Sequence, residues 1–268
     1  MPAIEAVDPT EAAAELAACV REAGALALSM FKSPIKVWTK AGSSPVSEAD
    51  ITLDRLLRER LAGHCSSFGW LSEESADADA RLAARYVWIV DPIDGTRAYL
   101  AGLPDWAVSA ALVESGRPIA ACLYAPVTEE FFVASANNGA TCNGAAIAAT
   151  AGTSLTDARV AGPKGFLEQF AAIAPPFTVM PRVRSLALRL ARVAQGTIDV
   201  AIAGVNSHDW DLAAADLLVH EAGGLLTSFV GHAVTYNQPV PRHGMLVAAG
   251  RDRQAAIIEL LRDERLAS

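Results

Sequence analysis

The stretch Asp91-Pro92-Ile93-Asp94-Gly95-Thr96 sets two carboxylates three residues apart, directly behind the apolar run Tyr86–Val90. Such a run reads as a strand buried on both faces. The end of a buried strand is where α/β proteins tend to carry functional groups. Pro92 stiffens the turn, Gly95 lets backbone approach a ligand closely, and Thr96 begins a helix whose first N–H groups suit an anion such as phosphate. Two carboxylates beside an anion pocket would repel that anion unless hard cations lay between them. Mg2+ prefers oxygen ligands and bridges carboxylates to phosphate oxygens, so the stretch reads as half of a metal–phosphate site. Taken alone, D-x-x-D-G is also ordinary turn chemistry, with Asp capping and Gly turning. It lacks the alternating acids of an EF-hand loop, and two residues, not one, separate its acids, unlike a D-x-D nucleophile motif.

Other acids stand at comparable places. Glu73 and Glu74 close the strand-like FGWLS. Asp50 lies at the start of a helix, where a carboxylate also favours the positive end of the dipole. Asp211 follows Trp210 at the head of DLAAADLLVHEAGG, where capping by Asp211 or by Asp209 would serve equally well. Four such endings meeting at one spot would exceed what capping requires.

The chain has 268 residues and a formal net charge of −8. That balance argues against a nucleic-acid duplex as partner, because phosphate contacts need clustered Lys and Arg. It also means that an anionic substrate needs local positive charge, from a few basic side chains or from bound metal. No apolar run reaches the roughly 18 residues that span a bilayer, and the N-terminus lacks the basic region of a secretory signal. Cys19, Cys65, Cys122 and Cys142 are widely spaced and form no CxxC pair. Reduced structural thiols in the cytoplasm are the expectation.

The elements that must position these groups read as follows. Helical spacing over 9–31 predicts one long helix capped by Asp8 or Thr10. A second helix runs through ITLDRLLRERLAG with Ser47 as cap. FGWLSEES and YVWIV read as strands, and WAVSAALVE, RPIAACLYAP and EEFFVAS as an antiparallel meander, followed by a loop-rich NNGATCNGAAI. In the second half, strands in ARVAG, FTVMP, IDVAIAG, GLLTSF and GMLVAAG alternate with helices at about 164–173, 185–195, 211–222 and 252–265. The chain reads as one α/β (α+β) unit, 1–268, with an antiparallel subdomain over 1–150 and an alternating α/β subdomain over 151–268.

Taken together, WIVDPIDGT, the later WDLAAADLLVHEAGG, the acidic LSEES and the segment SPVSEAD resemble the inositol monophosphatase family across nearly the whole chain. The resemblance implies an α-β-α-β-α layered sandwich and Mg2+-dependent hydrolysis of a phosphate monoester, with two or three ions. It assigns metal coordination to Glu73, Asp91, the Ile93 carbonyl, Asp94 and Asp211. It gives Thr96 and Asp50 the positioning of the attacking water, Gly95 and Thr96 backbone N–H contacts to the phosphate, and Glu74 a place near that water. Lithium sensitivity and a homodimer are implied as well. The chemistry is intelligible in its own terms, since phosphoryl transfer needs charge neutralisation and alignment more than a protein nucleophile.

Several local features resemble the bacterial 3'(2'),5'-bisphosphate nucleotidase branch: WTKAGSSPVSEAD, LSEES, Leu123-Tyr124-Ala125-Pro126 and Tyr236-Asn237-Gln238-Pro239. Gly204 occupies a position where inositol monophosphatases often carry an acid, whereas DPIDGTR with GLPDW also resembles histidinol phosphatases. The first expectation is therefore hydrolysis of 3'-phosphoadenosine 5'-phosphate, with inositol 1-phosphate or histidinol phosphate as alternatives and a non-catalytic phosphometabolite-binding regulator as the alternative of another class. Arg97 reads as a surface helix residue or a contact to a second phosphate. Lys164 and His208 lie near loops expected to face substrate, His208 as a hydrogen-bonding neighbour of the metal ligands. Arg182, Arg184 and Arg189 read mainly as charges solvating a helix.

Overall fold

The computed structural model describes residues 6–39, 45–63 and 67–263. A seven-stranded sheet runs in the order β3 (Gly69–Ser72), β4 (Tyr86–Asp94), β5 (Ala107–Glu114), β6 (Arg117–Ala125), β7 (Glu130–Ser135), β8 (Ala140–Cys142) and β9 (Ala145–Ala146). A five-stranded sheet has the order β11 (Thr178–Val179), β10 (Arg159–Ala161), β12 (Val200–Ala203), β16 (Leu246–Gly250) and β14 (Gly224–Ser228). Two short ribbons pair β1 (Val37–Thr39) with β2 (Pro45–Ser47) and β13 (Ser207–His208) with β15 (Arg242–His243).

The helices separate and cover the sheets. They are α1 (Pro9–Met30), α2 (Glu48–Ala62), the short α3 (Thr96–Leu100), α4 (Lys164–Phe170), α5 (Leu186–Ala194), α6 (Asp209–Glu221) and α7 (Arg251–Asp263). Three cores define the five layers. One joins α1 and α2 to one face of the large sheet. The second fills the space between the sheets around α5 and α6. The third lies between the small sheet and α4 and α7. This is the layered α/β sandwich that the motifs imply.

Local sequence explains these elements. Asp8 caps α1, its Oδ1 accepting the N–H of Thr10 at 2.7 Å and of Glu11 at 3.1 Å. Every residue of β4 is buried. Its alternate side chains feed different cores, Tyr86, Trp88 and Val90 towards α1 and α2, Val87 and Ile89 towards α6. That division is why the strand reads as a continuous apolar run and not as an alternation. Helix α6 lies between two sheets, so seven residues from Leu212 to Val219, four of them leucine or valine and three alanine, belong to one core; small side chains let the sheets approach it closely.

The structure differs from the sequence expectation in several places. The first half is not wholly antiparallel, because β3 pairs parallel to β4. A parallel pair needs a crossover, and residues 73–85, with a 3-10 turn at Asp79–Ala83, supply it. The loop-rich stretch after β7 contributes β8 and β9 to the sheet edge. Strand β11 is only two residues long, with Pro176 and Pro181 close on either side. Helix α4 ends at Phe170 and α6 starts at Asp209. The centre of WTKAGSSPVSEAD, Cys65 and the last residues of the predicted C-terminal helix lie outside the described residues.

Candidate active site

Asp91 and Asp94 are three residues apart, and in a regular strand such side chains would point to opposite faces. The β4–β5 ladder slips here. Asp91 pairs with Ser109 and Asp94 with Ala107, leaving two residues of β4 opposite one of β5. The bulge re-aims the strand end. The first turn of α6 brings Asp211 to the same place, and one carboxylate oxygen from each of Asp91, Asp94 and Asp211 lies within 4.8 Å of the others. Glu73, at the end of β3, falls outside that tight group. It is nevertheless the charge that acts most strongly on Asp91.

The electrostatics are one-sided. Burial first, then repulsion from Glu73, Asp94, Asp211 and Asp50, pushes the Asp91 carboxyl well above the usual range. Asp94 is pushed up to about 7 by burial and by Asp211, against hydrogen bonds from Ser185 and Ala187. Those bonds are short: the Ser185 hydroxyl and the Ala187 N–H each donate to Asp94 Oδ2 at 2.6 Å. This leaves the second oxygen of Asp94 for the acidic cluster. Buried carboxylates packed this closely need an opposing charge to ionise together. The donor set is all oxygen and suits a hard divalent cation such as Mg2+ or Ca2+. Asp91, Asp94 and Asp211 therefore fit a metal ion, with Glu73 and the Ile93 carbonyl at the margin of the same site.

A second constellation adjoins the first. Thr96 Oγ1 stands 3.2 Å from Asp50 Oδ1 and 3.1 Å from the Ile93 carbonyl oxygen. One hydroxyl proton serves one of these acceptors fully at a time. Asp50 is fully buried as the third residue of α2. Its Oδ2 accepts the Ser47 N–H at 2.7 Å and the Ser47 hydroxyl at 2.5 Å. Burial raises its pKa, and the bonds from Ser47 and Thr96 oppose that rise. The helix-start reading of Asp50 and its pairing with Thr96 thus both hold. Gly95 precedes α3 at φ +94°, and a Cβ there would meet Asp105 O at 3.1 Å and Ser185 N at 3.3 Å. Close packing against the start of α5 thus constrains Gly95 independently of any ligand.

Asp211 accepts the His208 backbone N–H at 2.7 Å. The His208 ring stacks on Trp210 with centroids 4.6 Å apart, and its Nδ1 is 3.8 Å from Asp211, so the expected ring hydrogen bond is replaced by a backbone one. Glu74 is partly buried just beyond Glu73, and Arg97 is exposed.

Sequence reasoning misses the roles of three residues. Ser185 holds Asp94 and also caps α5 through Leu188 N–H at 3.0 Å; a serine before LALRLARVA is a legible cap signal. Ser47 reads as a cap but not as the partner of Asp50. Asp209, which reads as a possible cap, is fully buried. It anchors the start of α6, accepting Asn237 N–H at 2.7 Å and lying 2.7 Å from His243 Nε2.

A layered α/β sandwich with an all-oxygen acidic cluster at a bulged strand end, beside a buried Thr–Asp pair, defines a phosphoric monoester hydrolase of the metal-dependent sugar-phosphatase type. The chain belongs to the inositol monophosphatase family, whose sequence model matches residues 8–266. It is 33% identical over 209 residues to an inositol-1-monophosphatase of Rhizobium meliloti, covering 74% of this chain and 77% of that protein. It is 34% identical over 213 residues to a histidinol-phosphatase of Mycobacterium tuberculosis, covering 74% and 80%. A Nus factor SuhB of Pseudomonas aeruginosa is 31% identical over 209 residues, covering 74% and 77%. Among solved structures, the extragenic suppressor protein suhB of Bartonella henselae superposes with a TM-score of 0.83 at 27% identity, covering 95% of this chain and 99% of that one. Two relatives at 19% identity share the fold with TM-scores of 0.83, an IMPase/NADP phosphatase complexed with NADP and Ca2+ (97% and 98% covered) and a staphylococcal inositol monophosphatase-1 in a LiCl-soaked inhibitory complex (97% of each covered).

Proposed function

We propose that this chain hydrolyses a small-molecule phosphate monoester with Mg2+ as cofactor, using water and no phosphoenzyme. The observation that carries the reading is the adjacency of the Asp91–Asp94–Asp211 cluster to the Thr96–Asp50 pair. When bound, divalent ions supply charge neutralisation and polarisation of the phosphoryl oxygens. Asp91, Asp94, Asp211 and Glu73, with the Ile93 carbonyl, would hold them. A Thr96 hydroxyl that donates to Asp50 keeps its lone pairs for a hydrogen bond from a water, and so orients that water for in-line attack. Asp50, fixed by two bonds from Ser47, holds the hydroxyl in that rotamer. Gly95 and Thr96 would offer backbone N–H groups to the phosphate, and Glu74 would border the water.

Among substrates, 3'-phosphoadenosine 5'-phosphate stands first and inositol 1-phosphate or histidinol phosphate second. The first rests on the resemblance of local motifs and on Gly204, which puts no acceptor where a polyol would want one. The second rests on the names of the relatives. We further propose a cytoplasmic protein, supported by the free, buried thiols of Cys19, Cys122 and Cys142, and a homodimer, which rests on resemblance alone. Among the described residues no helix is long and apolar enough to cross a membrane. Lithium inhibition is proposed on the same footing as the dimer.

Steady-state hydrolysis of these three esters with Mg2+, and again with excess EDTA, tests the proposal. Turnover is expected only without chelator. Undiminished turnover in EDTA sinks the metal-dependent reading, and inositol 1-phosphate turning over far faster than the bisphosphate reverses the ranking.

A further inference from the structure

Next to the acidic cluster lies a cavity of about 670 Å3 with apolar walls from Leu167, Val179 and Met180. Its charged lining is mainly cationic: Lys164, Arg182 and Arg189. Lys164 is exposed and 3.7 Å from Glu168 on the same helix. Arg189 differs. It sits on α5 between the two sheets, and its Nε is buried with no hydrogen-bond partner among the described residues. A buried guanidinium donor without an acceptor is unfavourable unless a ligand supplies one. Burial lowers its pKa to about 10, with Asp94 opposing and Arg182 adding to the fall. Two arginines facing one cavity repel each other, and an anion between them would reverse that penalty.

The cavity is also close to the reacting centre. Ser185 and Ala187 hold Asp94, and Arg189 donates its backbone N–H to the Ser185 carbonyl at 3.2 Å. Arg189 is therefore one helical turn, about 6 Å along the axis, from the residues that grip the cluster. A single small molecule can reach both places.

We propose that Arg189, with Arg182, forms a second anion subsite that binds a phosphate group other than the one hydrolysed, on an ester whose ring packs against Leu167, Val179 and Met180. Arg189 is thus a specificity-determining residue. The inference rests on the phosphomonoesterase reading and narrows its substrate class to doubly phosphorylated small molecules with a partly apolar body. The chain carries net charge −8, so a guanidinium left unpaired beside the site is a selective feature and not part of a general basic surface.

The test uses the full chain with Mg2+ and a matched pair, adenosine 3'-monophosphate and adenosine 3',5'-bisphosphate. The wild type is expected to prefer the bisphosphate in kcat/KM by about tenfold or more, the scale of one charge-assisted contact. Arg189→Met should erase that preference, chiefly through KM, while Arg189→Lys retains part of it. Arg182→Ala, at an exposed position, provides a second variant should Arg189→Met fold poorly, and should narrow the ratio in the same direction. A preference unchanged in both variants, or a loss shared equally by both esters, overturns the subsite. If neither ester nor p-nitrophenyl phosphate turns over, the phosphatase reading has failed instead. Calorimetric titration with the bisphosphate then decides the subsite separately: weaker binding by Arg189→Met supports it, and equal binding overturns it.

Discussion

Asp94 and Asp199 are both buried carboxylates at strand ends, one closing β4 and one preceding β12. Asp199 is complete within the fold. It accepts the Arg159 backbone N–H at 2.8 Å, both Nε and a terminal nitrogen of that guanidinium at 2.9 Å, and the Thr150 hydroxyl at 2.7 Å. Burial pushes its pKa up, and those partners outweigh burial and hold the carboxyl below its usual range. Asp94 has two donors and carboxylate neighbours, and its pKa moves the other way, up to about 7. An acid whose counter-charge is folded in beside it is structural. A cluster of acids without one is built for a cation that arrives from outside. The pKa direction, with the set of donors, separates the two roles where burial alone would not.

The largest expected effect breaks this comparison by exchanging the same atom at both places. Asp94→Asn keeps the shape and its amide oxygen can still accept from Ser185 and Ala187, but it removes a ligand charge. Turnover should fall by about 100-fold or more, while the melting temperature in EDTA stays at or above that of the wild type because a buried like charge is gone. Asp199→Asn should do the reverse. Stability should drop by about 2 kcal/mol as the charge-assisted bonds to Arg159 weaken, with turnover changed little. Equal loss of stability in the two variants would contradict the division of roles.

Thr96→Val probes the second half of the site. It replaces a hydroxyl by a methyl group in a buried position, leaving Asp50 one donor short. A fall in kcat of about 100-fold with KM nearly unchanged is expected for a group that orients the attacking water, and Thr96→Ser should recover most of it. A change confined to KM would reassign Thr96 to substrate binding.

Much of this is legible in the amino-acid sequence. Strand β4 announces itself because both of its faces are buried, and the acids stand out because each closes an element. Their convergence is not legible. It depends on the bulge between Asp91 and Asp94 and on the register against β5, and a register is set by pairing partners far along the chain. Arg189 reads as helix solvation for a related reason. Spacing on α5 gives a face but no depth, and only the packing of a second sheet shows that Arg192 meets Glu130 at 2.6 Å whereas Arg189 turns into a cavity. Ser185 and Asp209 are visible as helix-start residues, yet their partners Asp94 and Asn237 lie 91 and 28 residues away.

The smallest expected effect sharpens the comparison through pH. The Asp94 carboxyl is raised from 3.8 to about 7 in the folded chain, so between those values the ion-free folded state holds protons that the unfolded state has released. Its contribution to stability is present below about pH 4 and is lost as pH rises through about 7. Asp199 has the opposite sign: its contribution is present above about pH 4 and is lost as pH falls below that. Melting curves in EDTA should therefore lose a few degrees between pH 5 and pH 8. Asp94→Asn should flatten that slope and Asp199→Asn should leave it in place. Saturating Mg2+ should abolish the loss, because an ion bound only by the folded state favours the ionised carboxylates and stabilises that state by mass action. A slope indifferent to both Mg2+ and Asp94→Asn would mean that the acidic cluster is balanced from within, like Asp199.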